Sequence, residues 1–302
     1  MNLLKKLCEI RASSGNEEAM TEFILGWIQA EKENFLVQPQ IFSGDAFQQS
    51  VVLVFGEART AVFSHIDSIG FTVRYQNELV KIGGPRIENG YILVGKDEQG
   101  EIECEIQTDE EGNFFASGRE IERGTILTFK SNFRETIDSI QCCTMDNRLG
   151  VWNAMQLAKT MRHGAIVFSC REEHGGGNTA FLGKFLYENF NIRQALISDI
   201  TWLTEGVHAG MGVAISLRDS GIPNRAYVNR VIHIAKEEGI PYQLEVEGSG
   251  GSDGIELQKS AYPWDWCFVG AAEDHVHSPD EKVHKKDIES MLKLYQKLIE
   301  KL

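Results

Sequence analysis

The sequence has no long apolar run, no CxxC pair, no internal repeat and no low-complexity segment. The first absence excludes a membrane-spanning helix, which needs about 20 consecutive apolar residues. The opening MNLLKKLCEI is too briefly apolar, and too polar beyond, to read as a secretory leader. Six cysteines (Cys8, Cys104, Cys142, Cys143, Cys170, Cys267) lack the density of a disulfide framework, and Cys170 and Cys267 sit inside apolar runs as core residues do. Reduced thiols and a cytoplasmic setting are therefore expected. Cys142 and Cys143 could ligate a metal, but vicinal thiols without a second pair make a poor tetrahedral set. Positive charge is also scarce: 30 Lys and Arg stand against 44 Asp and Glu, a formal charge of −14. That balance opposes nucleic acid and anionic membrane as partners and favours neutral or cationic ones, metal ions included.

What is present is an ordinary globular composition, 42% hydrophobic and 25% charged over 302 residues, enough for one large domain or two. The chain is organised around AIVFSCREEHGGG, from Ala165 to Gly177. Its apolar run, β-branched at Ile166 and Val167, reads as a strand buried on both faces. The run stops at Glu172 and Glu173, followed by His174 and three glycines. In open α/β sheets the carboxyl end of a strand is where ligands bind, and a glycine loop there lets other groups approach closely.

Taken in order, Leu3, Leu4 and Leu7 open a short amphipathic helix. SSGNEE offers a capping box, Ser14 with Glu17, for a helix over about 16–30. Strands follow at Val51 to Phe55 and Ala61 to Ser64, the second ending in SHIDSIGF. His65 and Asp67 are two apart, so in extended chain both project from one face and a carboxylate can stand beside the imidazole. From Phe71 to about Ser139 short alternating runs separated by NG, EQG and EEGN turns indicate a small all-β module inserted into an α/β domain. The α/β texture returns with CCTMDNRLG, where Asp146 precedes a helical pattern and could serve as its cap. Further on come a helix over Thr179 to Glu188, a strand over Ala195 to Ser198 ending at Asp199, and a helix over Arg225 to Glu238. Asp253 falls in the permissive loop GSGGSDG, a last strand in WDWCFVG leads to EDHVHSPDE, and a helix over Val283 to Leu302 closes the chain.

His65, the Glu172/Glu173 pair, Asp199 and the His275/His277 pair all follow a buried strand, and with Asp146 they would converge on one edge of a mostly parallel sheet. Two imidazoles and several carboxylates suit Zn²⁺, Co²⁺ or Mn²⁺. One ion would leave ligands over; two bridged by a shared carboxylate would use them all.

The ordered set SHIDSIG, MDNRLG, REEHGG, SD and HSP, with the β module between the first two, resembles the co-catalytic dizinc aminopeptidases of clan MH, and within them the glutamyl and deblocking enzymes that form tetrahedral assemblies. The resemblance covers nearly the whole chain. It implies an α/β fold, a three-layer α/β/α sandwich with a mixed, mostly parallel sheet formed by residues 1–70 and 140–302, and an inserted all-β domain over 71–139. It further implies that Asp146 bridges two metals, that His65 and Asp199 complete one site, and that Glu173 and His277 complete the other. Asp67 would orient His65. Glu172 would be the general base that takes a proton from metal-activated water and passes it to the leaving amine. His277 is preferred over His275 because HSP is the matching context, and Asp253 would stand near the substrate pocket.

The implied function is hydrolysis of the N-terminal residue of peptides by two divalent ions per chain, zinc first, with cobalt or manganese as alternatives. The implied partners are peptide substrates and further copies of the chain, with no nucleic acid and no membrane. A deacylase or amidohydrolase on the same scaffold, and a catalytically silent binding relative, are the competing readings. The chain departs from the family pattern at Ser68, in the HGGG loop and at Asp274 and His275. Glu273 and Asp274 suggest that basic or neutral N-terminal residues are preferred over acidic ones.

Overall fold

The computed structural model describes all 302 residues. Its spine is four parallel strands in the order Gly164–Ser169, Thr60–His65, Gln194–Trp202 and Asp265–Asp274. The first two are buried at every residue, which is why their sequences read as unbroken apolar runs. Antiparallel strands extend both sides. Val51–Phe55 and Gln40–Phe42 flank Gly164–Ser169, while Lys282–His284, Ser139–Gln141 and Arg134–Glu135 continue beyond Asp265–Asp274. Val213–Arg218 also pairs with Asp265–Asp274 and carries Tyr242–Val246 on its outer edge. The large sheet is thus mixed, with a parallel centre.

Side chains alternate between its two faces, as the period of a strand requires. Val62 and Leu196 join a core of 60 buried residues shared with the helices Met145–Thr160, Arg225–Glu237 and Lys285–Lys301. Ala61, Phe63 and Ile197 join a core of 15 on the opposite face, with Leu182 and Leu186 of the helix Thr179–Phe190 and Leu257 of the helix Asp253–Lys259. Two helical layers therefore sandwich the sheet. The closing helix Lys285–Lys301 shows the helical rule: Ile288, Met291, Leu294, Tyr295 and Leu298 recur at three- and four-residue steps and all are buried.

A second sheet of six antiparallel strands is drawn from one stretch of chain: Gly70–Val73, Leu79–Ile82, Ile92–Asp97, Gly100–Thr108, Phe114–Ala116 and Ile126–Phe129. Its inward residues Phe71, Leu93, Ile106 and Leu127 belong to the same 60-residue core.

Three local expectations are corrected. Ser14 does not cap a helix: the helix starts later, Glu18–Glu31 with Glu17 as its cap, because the Ser14 hydroxyl donates instead to Asp67 Oδ2 at 2.6 Å. The strand expected to end at Asp199 runs on to Trp202, since its pairing with Asp265–Asp274 continues through Trp202↔Glu273. Asp253 lies not in an exposed loop but at the start of a helix capped by Ser252, 1% exposed, accepting hydrogen bonds from Ser169 and Thr179.

The helix Met145–Thr160 sits unusually close to the central sheet. A Cβ on Gly150 would lie 2.1 Å from Ser198 O and 2.2 Å from Asn147 Oδ1. In an exposed helix, Gly→Ala stabilises by about 1 kcal/mol. Here overpacking against a backbone carbonyl, costing about 1–3 kcal/mol, outweighs that gain. Gly150→Ala should therefore lower the melting temperature, by about 2–4 °C per kcal/mol lost. A thermal denaturation curve unchanged or shifted upward would contradict the close approach.

Candidate metal centre

His65 is the last residue of its strand, and its ring meets carboxylates on both nitrogens. Nε2 lies 3.1 Å from Asp146 Oδ1, 3.6 Å from Asp199 Oδ2 and 3.9 Å from Glu172 Oε2. Nδ1 faces Asp67 Oδ1 at 3.4 Å, longer than a well-formed hydrogen bond, and has no other partner. His277 follows the Asp265–Asp274 strand, and its Nε2 lies 3.3 Å from Asp146 Oδ2 and 3.2 Å from Glu173 Oε2. Its Nδ1 is 3.1 Å from Gly84 O. A neutral ring that donates its Nδ1 proton to that carbonyl would present the Nε2 lone pair to a cation held among the carboxylates.

Two groups of potential ligands result, His65 with Asp146 and Asp199, and Asp146 with Glu173 and His277; within each, the ligand atoms lie within 4.8 Å of one another. They share Asp146, which turns one carboxylate oxygen to each imidazole. Asp146 is not the helix cap that its position suggested. Thr144 occupies that place, and Asp146 itself has non-helical backbone angles. Its side chain is thereby released toward the sheet edge. His275 stays outside, exposed, with Nε2 3.5 Å from Asp274. Cys142 and Cys143 are buried in the core and belong to neither group.

Asp67 faces His65 and also contacts the backbone of the glutamate turn. Its two oxygens accept the N–H groups of Glu172, at 3.1 Å, and Glu173, at 3.2 Å. This fixes the turn on which the two glutamates diverge, Glu173 toward His277 and Glu172 toward His65.

Residues that sequence reasoning passed over complete the frame. Glu281, fully buried, accepts the N–H of Asp146 at 3.3 Å and the N–H of His277 at 2.8 Å, so one carboxylate sets two candidate ligands. Its only sequence signal was an acid four residues after His277. Arg148, also fully buried, donates to the carbonyls of Ile66 at 2.6 Å, Asp67 and Ala12 at 3.3 Å, and Ile10 at 3.4 Å. From the small sheet, the turn after Leu79–Ile82 reaches across the site: Gly83 N–H donates to His174 Nδ1, Arg86 N–H to His277 O, and Gly84 O faces the His277 ring. A Cβ on Gly84 would sit 3.2 Å from His277 Nδ1, so the adjacent glycines permit the contact.

The electrostatics are those of a concentrated acid cluster. Burial pushes Glu173 up to about 7, with the charge of Asp146 adding to it, and pushes Asp199 up to about 6 against the opposing pull of His65. Burial likewise holds Glu172 and Glu281 well above the usual carboxylate range. For Asp146 burial acts upward too, but the two imidazoles override it and hold the group below its ordinary value. Burial would lower His277, yet Asp146 and Glu173 carry it up to about 12. The carboxylates thus call for cations, and the same acids raise the proton affinity of both imidazoles. Divalent ions fit the same donor set: imidazole nitrogens and carboxylate oxygens with no thiolate, and Glu173 Oε1 buried without any hydrogen-bond partner.

The centre opens into a cavity of about 270 Å³ that also reaches Thr201, Trp202, Asp219, Glu245 and Glu247. Glu273 and Asp274, which the sequence suggested as pocket acids, do not line it. Glu273 is 1% exposed in the strand pairing with Val283, and Asp274 points outward beside His275. A larger cavity, about 420 Å³, lies between the first helix and the small sheet but shares no residue with the centre.

The Arg148 contacts decide how firmly the loop after His65 is held. A charged hydrogen bond to a buried carbonyl contributes about 1.5–3 kcal/mol, and an ammonium cannot span four carbonyls as a planar guanidinium does. Arg148→Lys should destabilise by about 2–4 kcal/mol in urea unfolding. An unchanged midpoint would show that these bonds contribute nothing net.

The same architecture occurs in known proteins. An aminopeptidase from the archaeon Desulfurococcus kamchatkensis superposes with a TM-score of 0.86 at 20% identity, covering 100% of this chain and 94% of its own. The Pyrococcus horikoshii TET1 peptidase, which assembles into a tetrahedron or a large octahedral shell, superposes at 0.81 with 22% identity, covering 100% of this chain and 99% of its own. A relative from Acetivibrio thermocellus that carries a provisional aminopeptidase name is 26% identical over 332 residues, spanning 97% of this chain and 96% of that protein. Residues 98–294 match the family of M42 glutamyl aminopeptidases. With well over half of its length in that match, the chain belongs to the M42 glutamyl aminopeptidase family and is a peptidase.

Proposed function

We propose that the chain is a dimetal-dependent aminopeptidase that releases the N-terminal residue of peptides. The observation that carries this reading is the shared carboxylate of Asp146, 3.1 Å from one imidazole and 3.3 Å from the other. His65 and Asp199 would hold one divalent ion with it, and Glu173 and His277 the other, zinc first and cobalt or manganese as alternatives. Bound there, such ions supply Lewis-acid polarisation of the scissile carbonyl and lower the pKa of the attacking water.

Glu172 is the general base in this reading. Its side chain lines the cavity, and the Asp67 carboxylate holds its backbone. Burial and the neighbouring acids raise its proton affinity, bringing it nearer the range in which one carboxylate both accepts a proton from water and returns it to the leaving amine. Asp67 contributes by keeping the His65 ring and the Glu172–Glu173 turn in register.

The proposal extends to organisation. Residues 1–70 and 140–302 would form the catalytic domain and 71–139 an inserted domain, whose sheet starts at Gly70, whose last strand, Arg134–Glu135, already pairs onto the large sheet, and whose Gly83–Arg86 turn touches His277. A homo-oligomer is supported by the assembly of the Pyrococcus horikoshii peptidase and by the exposed apolar side chains Ile137, Met211, Ile222 and Val246. A cytoplasmic location is supported by six cysteines that are all free and buried.

Digestion of mixed free-amine and N-acetylated peptides, followed by mass spectrometry with Zn²⁺ or Co²⁺ supplied, tests the activity. Free-amine peptides alone should lose single N-terminal residues, and Glu172→Gln should cut turnover by about 10²–10⁴-fold while still binding metal. Release of acetyl groups would favour the deacylase reading, and full turnover by the variant would remove Glu172 as the base.

A further inference from the structure

We propose that the wall of the cavity facing the metal centre selects a cationic N-terminal side chain, lysine or arginine. The inference rests on the aminopeptidase reading and names the substrate class of that site.

Besides Glu172, three carboxylates outside the two ligand groups line the cavity: Asp219, Glu245 and Glu247. They are gathered by the pairing of Val213–Arg218 with Tyr242–Val246, parallel strands whose register slips by one residue between Ser216 and Arg218. That irregularity places Asp219 just past the end of one strand, with Glu245 and Glu247 at the end of the other. No lysine or arginine lines the cavity, and none approaches these three carboxylates within ion-pair distance. The nearest candidate by sequence, Arg218, spends its Nε on the backbone carbonyl of Asp219 and acts on that side chain only from beyond ion-pair distance.

Two of the three are buried, while Glu247 is half-buried at the cavity's rim. Glu245 is 3% exposed and takes one hydroxyl, from Thr201, while Asp219 is 8% exposed and takes the N–H of Gly221 at 2.5 Å. Burial raises the proton affinity of both. Buried carboxylates that share a cavity and have no lysine or arginine among its walls are complementary to a ligand that brings a cation.

The aromatic wall agrees with the charge. Trp202, at the end of the Asp199 strand, and Phe268 line the same cavity. An indole face accommodates the methylene stem of lysine or arginine and attracts its charged end. A glutamate side chain would meet the like charges of these three carboxylates in addition to those of the centre, so discrimination comes from repulsion as well as attraction. The family's name describes glutamyl enzymes; the charge distribution in this cavity opposes glutamate.

The test uses the metal-loaded protein with lysyl, arginyl, leucyl and glutamyl 4-nitroanilides. In parallel, lysinamide and the α-amide of glutamate are titrated calorimetrically into the metal-loaded Glu172→Gln variant, which reports the pocket without turnover. Lysyl and arginyl substrates should exceed leucyl by at least tenfold in kcat/KM and glutamyl by more, and lysinamide should bind more tightly than the glutamate amide. Glu245→Gln and Glu247→Gln should each lower the lysyl-to-leucyl ratio by about tenfold, and Glu247→Lys should move preference toward glutamyl. A glutamyl rate equal to the lysyl rate, or a ratio unmoved by every variant, would overturn the inference while leaving an aminopeptidase. If no anilide is cleaved, the aminopeptidase reading fails and the calorimetry decides alone: tighter lysinamide supports the cationic pocket, and equal or tighter glutamate amide overturns it.

Discussion

The structure depends on holding one buried carboxylate between two imidazoles. Asp146 is 9% exposed, and each of its oxygens faces a ring nitrogen from a different part of the chain. A carboxylate so placed is costly unless its backbone and both rings are fixed. Glu281 takes the N–H of Asp146 together with that of His277, and Asp67 stands behind His65 while bracing the Glu172–Glu173 turn. Arg148 then ties the segment carrying Asp67 to the N-terminal loop through backbone carbonyls. Each support is itself buried, so the arrangement is stiff throughout rather than only at the ligand atoms.

The two sheets divide this task. The parallel strands deliver His65, the glutamate pair, Asp199 and His277 to one edge, as the geometry of such sheets predicts. The small sheet contributes a turn, Gly83–Arg86, that orients the His277 ring and anchors His174 of the glycine loop. The HGGG sequence thus makes a contact between the two sheets. Beyond the centre, the branch formed by Val213–Arg218 and Tyr242–Val246 brings acids into the same cavity from a third direction.

Much of this was legible in the residues. Apolar runs such as Val51 to Phe55 and Ala165 to Phe168 named the buried strands because burial on both faces leaves no polar alternation to hide them. The position of His65, Asp146, Glu172, Glu173, Asp199 and His277 relative to those strands made convergence readable. What escaped depends on tertiary approach. Ser14 carries a capping signal, yet its hydroxyl serves Asp67, a partner 53 residues away. Asp253 sits among glycines and serines that read as an exposed loop, although Ser252 caps a helix there and Asp253 bonds two buried hydroxyls. Arg148 and the Gly83–Gly84 turn have no local signature because their partners are distant in sequence, and Glu281 shows only its four-residue spacing from His277, not its bond to Asp146 135 residues away. Glu273 was legible as an acid near the site but not as one buried behind the centre and closed off from the cavity, since in a strand only register decides the face.

The central claim is that one carboxylate serves two metal ions, and the most direct measurement is metal stoichiometry by inductively coupled plasma mass spectrometry on the Zn²⁺-loaded protein and its Asp146→Ala variant. The account predicts two ions per chain in the first and loss of both from the second, with the variant still folded by circular dichroism. A folded variant that keeps one tightly held ion, or a parent chain that binds only one, would contradict it.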